Sequence, residues 1–230
     1  MTENQKLKME ILKEFAISDE PQSIETCRRA YQFLTEGETN TNPTTPQPAS
    51  KKMADGVYYL TDDGTVVPYN AVLTPPEDTK GVLVVQGERS IVVALLESPA
   101  GEETTLTTRK DPEDCKGNYI TSYEDAVADW NGQQNTEHLK AVGLSSNISL
   151  SDGWYIPSMG EMLFIFTHKK AINEALRKAD AQVIADDWYW TSTEYSATNA
   201  WFLHLGTGRM YFGTRASHTY RVRPVSAFIS

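Results

Sequence analysis

The sequence predicts an α+β domain preceded by a short helical segment, and three observations lead to that reading. Period-two apolar runs gather between residues 57 and 96 and again between 188 and 228, helix-start signals fall between them, and a Thr, Asn and Pro stretch separates all of this from the first 37 residues. With roughly 150 residues per domain as a guide, a chain of 230 residues has room for one large domain and an appendage. Its 40% apolar and 10% aromatic residues suffice for a packed core.

Residues 1–37 carry two amphipathic stripes. Leu7, Ile11 and Phe15 recur at steps of four, and after Pro21, a good first helical residue, Ile24, Cys27, Tyr31 and Leu34 form a second stripe that ends before Gly37. Neither face is large enough to fold alone. The pair is therefore expected to oligomerise or to attach to a carrier particle, the plainer alternative being a helical decoration of the main domain. Residues 38–52 contain nothing that could be buried and read as a flexible linker.

From Met53 to the end the text is that of the main domain. Val57 to Thr61 and Thr65 to Tyr69 flank Asp63-Gly64, a dipeptide that tolerates the positive φ of a tight hairpin. Gly81 to Val85 and Ser90 to Leu96 are β-branched and dense, as buried strands are. Ser122 precedes Asp125 by three residues and starts a helix carrying Ala126, Val127 and Trp130. Ser158 and Glu161 form a fuller capping box ahead of Met162, Leu163, Ile165 and Phe166. The last segment, Trp188 to Phe228, returns to strands.

Charge and composition exclude several functions. With 21 basic against 31 acidic side chains the net charge is −10, the wrong sign for a phosphate backbone, so no nucleic acid partner is expected. No apolar run approaches the roughly 20 residues of a membrane span, and Met1 to Lys8 lacks the apolar stretch of a signal peptide. The expectation is synthesis in the cytoplasm without membrane insertion, and a place on a virion, otherwise in the cytoplasm or displayed on a surface.

Cys27 and Cys115 have no CxxC spacing. His138, His168, His204 and His218 show no metal-ligand spacing, so neither metal nor cofactor is expected. There is no GxSxG elbow, and Gly206, Gly208 and Gly213 read as turns. Asp186, Asp187 and Glu194 could in principle serve a carboxylate-pair hydrolase, but acids on so acidic a chain usually only solvate it. The chain is not expected to be an enzyme.

The C-terminal half carries a set of motifs: Gly153-Trp154-Tyr155-Ile156-Pro157-Ser158, then Glu161, then Tyr189-Trp190-Thr191-Ser192-Thr193-Glu194-Tyr195, Ala200-Trp201, and Arg221-Val222-Arg223-Pro224-Val225 before Ala227-Phe228. Trp154, Pro157, Ser158, Glu161, Trp190, Glu194, Trp201, Arg221 and Arg223 read from their own chemistry as structural. Two arginines near the core on a terminal strand need a carboxylate, and Glu194 is the expected one. Together the motifs resemble the C-type lectin-like domains of bacterial collagen-like adhesins, phage fibre proteins and the variable proteins of diversity-generating retroelements. The resemblance covers about residues 53–230 and is weaker before Gly153.

The resemblance implies a fold and a use. It implies a C-type lectin-like domain of mainly antiparallel sheets with two or more helices, ending in strands and loops that display a ligand surface. The calcium loop of sugar-binding members has no counterpart, since Asp129-Trp130-Asn131 is in the wrong order and on an expected helix. Formylglycine-generating enzymes share the fold, but their late pair of reactive cysteines is missing.

In retroelement variable proteins diversification at adenines yields Ser, Ala, Thr, Asn, His, Tyr, Phe, Gly and Arg. Three windows have that composition: Ser196, Ala197, Thr198 and Asn199; Tyr211, Phe212, Gly213 and Thr214; and Ala216, Ser217, His218, Thr219 and Tyr220, with His204 and Arg209 between them. Trp201, Leu205 and Met210 intervene as buried scaffold would. Ordinary strand and turn composition is the competing account.

The expected function is a non-enzymatic recognition module that binds a host surface protein or glycan through this segment, on a phage particle or bacterial surface, with residues 1–37 contacting self or carrier. The alternative is a structural virion or appendage protein with a decorative lectin-like domain. If the tripartite division is right, limited proteolysis cuts between about residues 38 and 52 and leaves a stable C-terminal fragment, read by mass spectrometry; resistance throughout that stretch would show it packed.

Overall fold

The computed structural model describes residues 53–70, 72–108 and 117–228. The expected N-terminal helices, the linker and both cysteines lie outside those residues. Within them, four strands open the domain as their alternation predicts: β1 (Gly56–Thr61), β2 (Val66–Pro68), β3 (Thr79–Gln86) and β4 (Arg89–Ala94). The β1–β2 turn is set by Gly64, at φ +86°, whose N–H donates to the Thr61 carbonyl. Then come α1 (Tyr123–Ala128), α2 (Gly132–Val142), β5 (Trp154–Tyr155), α3 (Met159–Lys178), β6 (Trp188–Glu194), β7 (Asn199–His204), β8 (Met210–Thr214) and β9 (Val225–Ser226). An α+β fold results.

The strands form two sheets. The larger has the order β2-β1-β3-β4-β9-β5, so the last strand inserts beside β4, and the smaller is β6-β7-β8. Helix α3 lies in the core they share. Its Met162, Phe164, Ile165 and Ile172 join Val57, Tyr59, Val82, Val84, Ile91 and Val93 of the large sheet and Tyr189, Trp201, Leu203 and Met210 of the small one. The opposite face of the small sheet, Trp190, Ala200 and Phe202, packs on Leu139 of α2 together with Leu106, Ile148, Ile156 and Val222. A third cluster covers the outer face of the large sheet, where Trp154 and Phe228 lie against Leu83, Val85 and Val92.

Caps define the helix starts. Ser158 accepts from Glu161 N–H, and Glu161 Oε2 accepts from the Ser158 N–H at 2.7 Å, completing the capping box. Burial raises the Glu161 pKa, and Tyr155 O–H donates to its other oxygen at 3.0 Å. Ser122 caps α1 as the sequence indicates.

Two expectations are overturned. The α1 helix stops at Ala128, so Trp130 and the Asp129-Trp130-Asn131 run sit between helices rather than on one. The buried Asp129 carboxylate is the reason. It accepts from Asn131 N–H, Asn135 Nδ2 and Thr193 Oγ1, bonds that turn the chain and start α2.

Glu194, moreover, is not the partner of the C-terminal arginines. That carboxylate is Glu97, which follows β4. It takes Arg221 Nη1 at 2.9 Å, stands 3.5 Å from Arg223 Nη2, and accepts from Tyr189 O–H and from Gln182 Nε2. Pairing of β9 with β4 runs on through Ala94 N–H to Pro224 O and Ser98 N–H to Val222 O, which draws Arg221 and Arg223 along the exit of β4 and out of reach of Glu194.

Arg223 is fully buried, and burial depresses its pKa; its guanidinium also donates to the carbonyls of Ala94, Gln182 and Val183. Removing the carboxylate would leave that charge uncompensated. Glu97→Ala is expected to lower the unfolding free energy by about 3–5 kcal/mol in a urea titration; a loss below about 1 kcal/mol would mean that the carbonyls alone satisfy the arginines.

Candidate recognition surface

The small sheet presents the predicted ligand residues. Because side chains alternate along a strand, consecutive residues face opposite ways. Register pairs Phe202 with Tyr211 and Trp201 with Phe212, so Tyr211 shares a face with Phe202, and Phe212 with Trp201. The two exposed aromatics of β8 therefore belong to different patches.

On the first face Trp188 is the hub. His204 stands edge-on to it at 4.8 Å and Tyr211 at 5.8 Å, Tyr220 lies tilted at 6.2 Å, and His218 stacks on Tyr220 at 6.0 Å. Tyr211 is 43% exposed. Tyr220 is half-buried against Phe202 at 4.3 Å and Trp190 at 4.9 Å, which makes it a packing residue with an accessible edge. Burial lowers the His204 pKa, against the pull of Asp187 and Asp186, and its Nδ1 accepts from Gly206 N–H. Asp187 is partly buried too, yet the hydrogen bond from Arg221 holds its pKa below the usual value.

On the second face Phe212, 39% exposed, stacks on Tyr195 with centroids 3.6 Å apart and 2° between planes. Trp201 lies beneath both, and its Nε1 donates to the Ile120 carbonyl at 2.7 Å. Trp201, Leu205 and Met210 are buried, as scaffold positions should be.

The turns carry the remaining predicted residues. Ser196 accepts from the N–H groups of Thr198 and Asn199, fixing the β6–β7 turn, and Ala197, Thr198 and Asn199 are half-exposed around it. Thr214 bonds Ser217 at 2.5 Å and His218 Nδ1 at 2.7 Å, and Ala216 lies within that turn. Arg209 sits between β7 and β8, its carbonyl accepting from His204 N–H.

Sequence reasoning missed Arg215, which lies between two of the windows. Its guanidinium is 1% exposed, pairs with Glu194 and donates to the Ala197 carbonyl; its N–H donates to Thr198 O, and its own carbonyl accepts from Leu106 and Thr107 N–H. His138 Nδ1 meets the other Glu194 oxygen at 2.6 Å. The signal in the sequence was an Arg between the small residues Thr214 and Ala216, with Glu194, expected to serve the C-terminal arginines, at the end of β6 two strands before it. Trp154, Pro157, Ser158, Glu161, Trp190 and Trp201 all serve structure, Trp190 Nε1 donating to Thr104 O at 2.9 Å. Among the described residues no group of three His, Cys, Asp or Glu side chains is placed to hold a metal.

Two sheets around one central helix, a C-terminal strand returning beside β4, and a small sheet whose hairpins face outward define a C-type lectin-like domain. The chain belongs to the family described as the Lcl C-terminal domain, which matches residues 102–226. A solved structure, a fimbrial protein from Bacteroides ovatus ATCC 8483, is similar with a TM-score of 0.55 at 17% identity. The similarity covers 76% of this chain, and the chain spans about half, 49%, of that protein. No curated protein matches the chain.

Arg215 pins the β6–β7 turn and the turn after β8 from below. Arg215→Ala is expected to cost about 3–5 kcal/mol by stranding the buried Glu194, while replacing both residues with apolar ones restores much of that stability. Chemical denaturation of the single and double variants measures both; equal losses would refute the pairing as the cause.

Proposed function

We propose that the protein is a non-enzymatic recognition module of a cell-surface or virion appendage, binding a host surface protein or glycan through the outer positions of its small sheet. One observation carries the reading: an exposed aromatic patch, Tyr211 and His218 with the edge of Tyr220 beside Trp188, stands on fully buried Trp190, with the Thr214 hydroxyl bonded to His218 at its rim. Rigid amphipathic rings offer contact area at low entropic cost, and Ser, Thr and Gly neighbours adapt their hydrogen bonds. Residues 1–37 would attach the module to a carrier or to its own copies. Membership of the Lcl C-terminal family and likeness to a fimbrial protein support a place on an appendage.

The more specific form of the reading is a variable protein of a diversity-generating retroelement. Support comes from the sorting of residue types: the windows of diversifiable composition fall on turns and outward positions, while Trp201, Leu205 and Met210 are buried. Comparison of the gene among clonal isolates tests it, since substitutions should concentrate at positions 196–199, 204, 209, 211–214 and 216–220. The fimbrial likeness also favours the second reading, an appendage protein whose lectin-like domain merely decorates.

Substitution distinguishes the two. Tyr211→Ser with His218→Ser is expected to abolish retention on immobilised host-cell surface extract while moving the melting temperature by less than about 4 °C, because neither side chain supplies core. Tyr220 is left intact because it packs on Trp190. Retention unchanged by both substitutions, or absent in the unsubstituted protein, would favour decoration.

A further inference from the structure

Exposed strand edges invite pairing, and folded proteins usually blunt them with short strands, Pro or charge. Among the described residues three of the four sheet edges are blunted: β2 has three residues and ends in Pro68, β5 has two, and the outer side of β6 is occupied through Trp190 N–H to Arg221 O, Arg221 N–H to Trp188 O and Ser192 N–H to Pro157 O. The fourth edge, β8, is Met210-Tyr211-Phe212-Gly213-Thr214, with no charge and no Pro.

The ladder shows which groups face out. His204 N–H donates to Arg209 O and Arg215 N–H to Thr198 O, with an unshifted register between them. Bonded and non-bonded pairs alternate in an antiparallel ladder, so Tyr211 and Gly213 exchange bonds with β7 while Met210, Phe212 and Thr214 turn their N–H and C=O away. Only the Thr214 carbonyl is engaged there, by Ser217 and His218 N–H.

We propose that β8 is the seam at which a second copy of this chain pairs, strand to strand and antiparallel, about a two-fold axis through Phe212. The outward residues are symmetric about Phe212, so Phe212 would exchange both bonds with its copy, and each Thr214 N–H would donate to the copy's Met210 carbonyl while the Thr214 carbonyl keeps its own turn. Charge selects the same place. Copies of a chain of net charge −10 repel one another generally, yet residues 195–220 contain no Asp or Glu. Facing residues of a bonded pair share a face, which brings the two Tyr195–Phe212 stacks together and leaves Tyr211 and His218 of both copies open on the other side. The five-residue seam buries well under the roughly 1,200–2,000 Å² of stable interfaces; the pairing is weak and concentration-dependent.

Residue-resolved amide hydrogen exchange on the full chain, from micromolar to near-millimolar protein, tests this. The Phe212 amide is expected to slow by about tenfold or more at the highest concentration, while Tyr211, already bonded to β7, does not change. Phe212→Pro removes an N–H that the β7 ladder does not use, so it should keep the fold and abolish the concentration-dependent protection of the Thr214 amide. Association through residues 1–37 would raise the mass without protecting β8. Fast, concentration-independent exchange at Phe212 overturns the proposal, as does protection that appears only on adding host surface extract, which would assign the edge to a foreign strand.

Discussion

Glu97 is a carboxylate with almost no contact with water, and the geometry of the domain converges on it. Tyr189 reaches it from β6, Arg221 and Arg223 from the segment entering β9, and Gln182 from the loop after α3. Each of these groups would be costly to bury alone. Arg221 extends the arrangement to Asp187, and the two carboxylates raise its pKa, the hydrogen bond that Arg221 donates to Asp187 contributing most. Burial, with the nearby Glu97, raises that of Tyr189. The two sheets share apolar surface through α3, but hydrophobic contact is non-directional. The polar knot is directional, and it sets how the small sheet meets the large one.

A second buried pair repeats the principle at the periphery. Arg215 and Glu194 hold together two turns and the strand-like segment at Leu106, so the loops that face solvent are fixed from beneath by groups that never reach it. Residues above such an anchor can change in kind without the backbone losing its position. That separation of support from contact is what a recognition scaffold requires.

Much of this was legible beforehand, for identifiable reasons. Local rules found the β1–β2 turn at Gly64, the Ser122 cap and the Ser158–Glu161 box, because each depends on residues a few positions apart. Burial of Trp201, Leu205 and Met210 followed from their apolar character between polar windows. The partner of Arg221 and Arg223 did not, since Glu97 lies 124 residues from Arg221 and only the insertion of β9 beside β4 brings them together. Helix α2 was missed because its start is set by Asp129 bonding to Thr193, a contact across the fold. Arg215 was overlooked because its neighbours Thr214 and Ala216 look like loop, and a buried guanidinium has no periodic signature. Nor did composition show that Tyr211 and Phe212 would part company.

Adjacent codons on β8 thus specify side chains with separate environments. Tyr211 stands among Trp188 and Phe202, and Phe212 against Tyr195 above Trp201, with the thickness of a sheet between them. A mutation in one codon alters one surface and leaves the other as it was. Epistasis along the gene and coupling in space are therefore uncorrelated here: variants at 211 should combine freely with variants at 212, whereas 211 and 188, far apart in the coding sequence, must be accepted or rejected together.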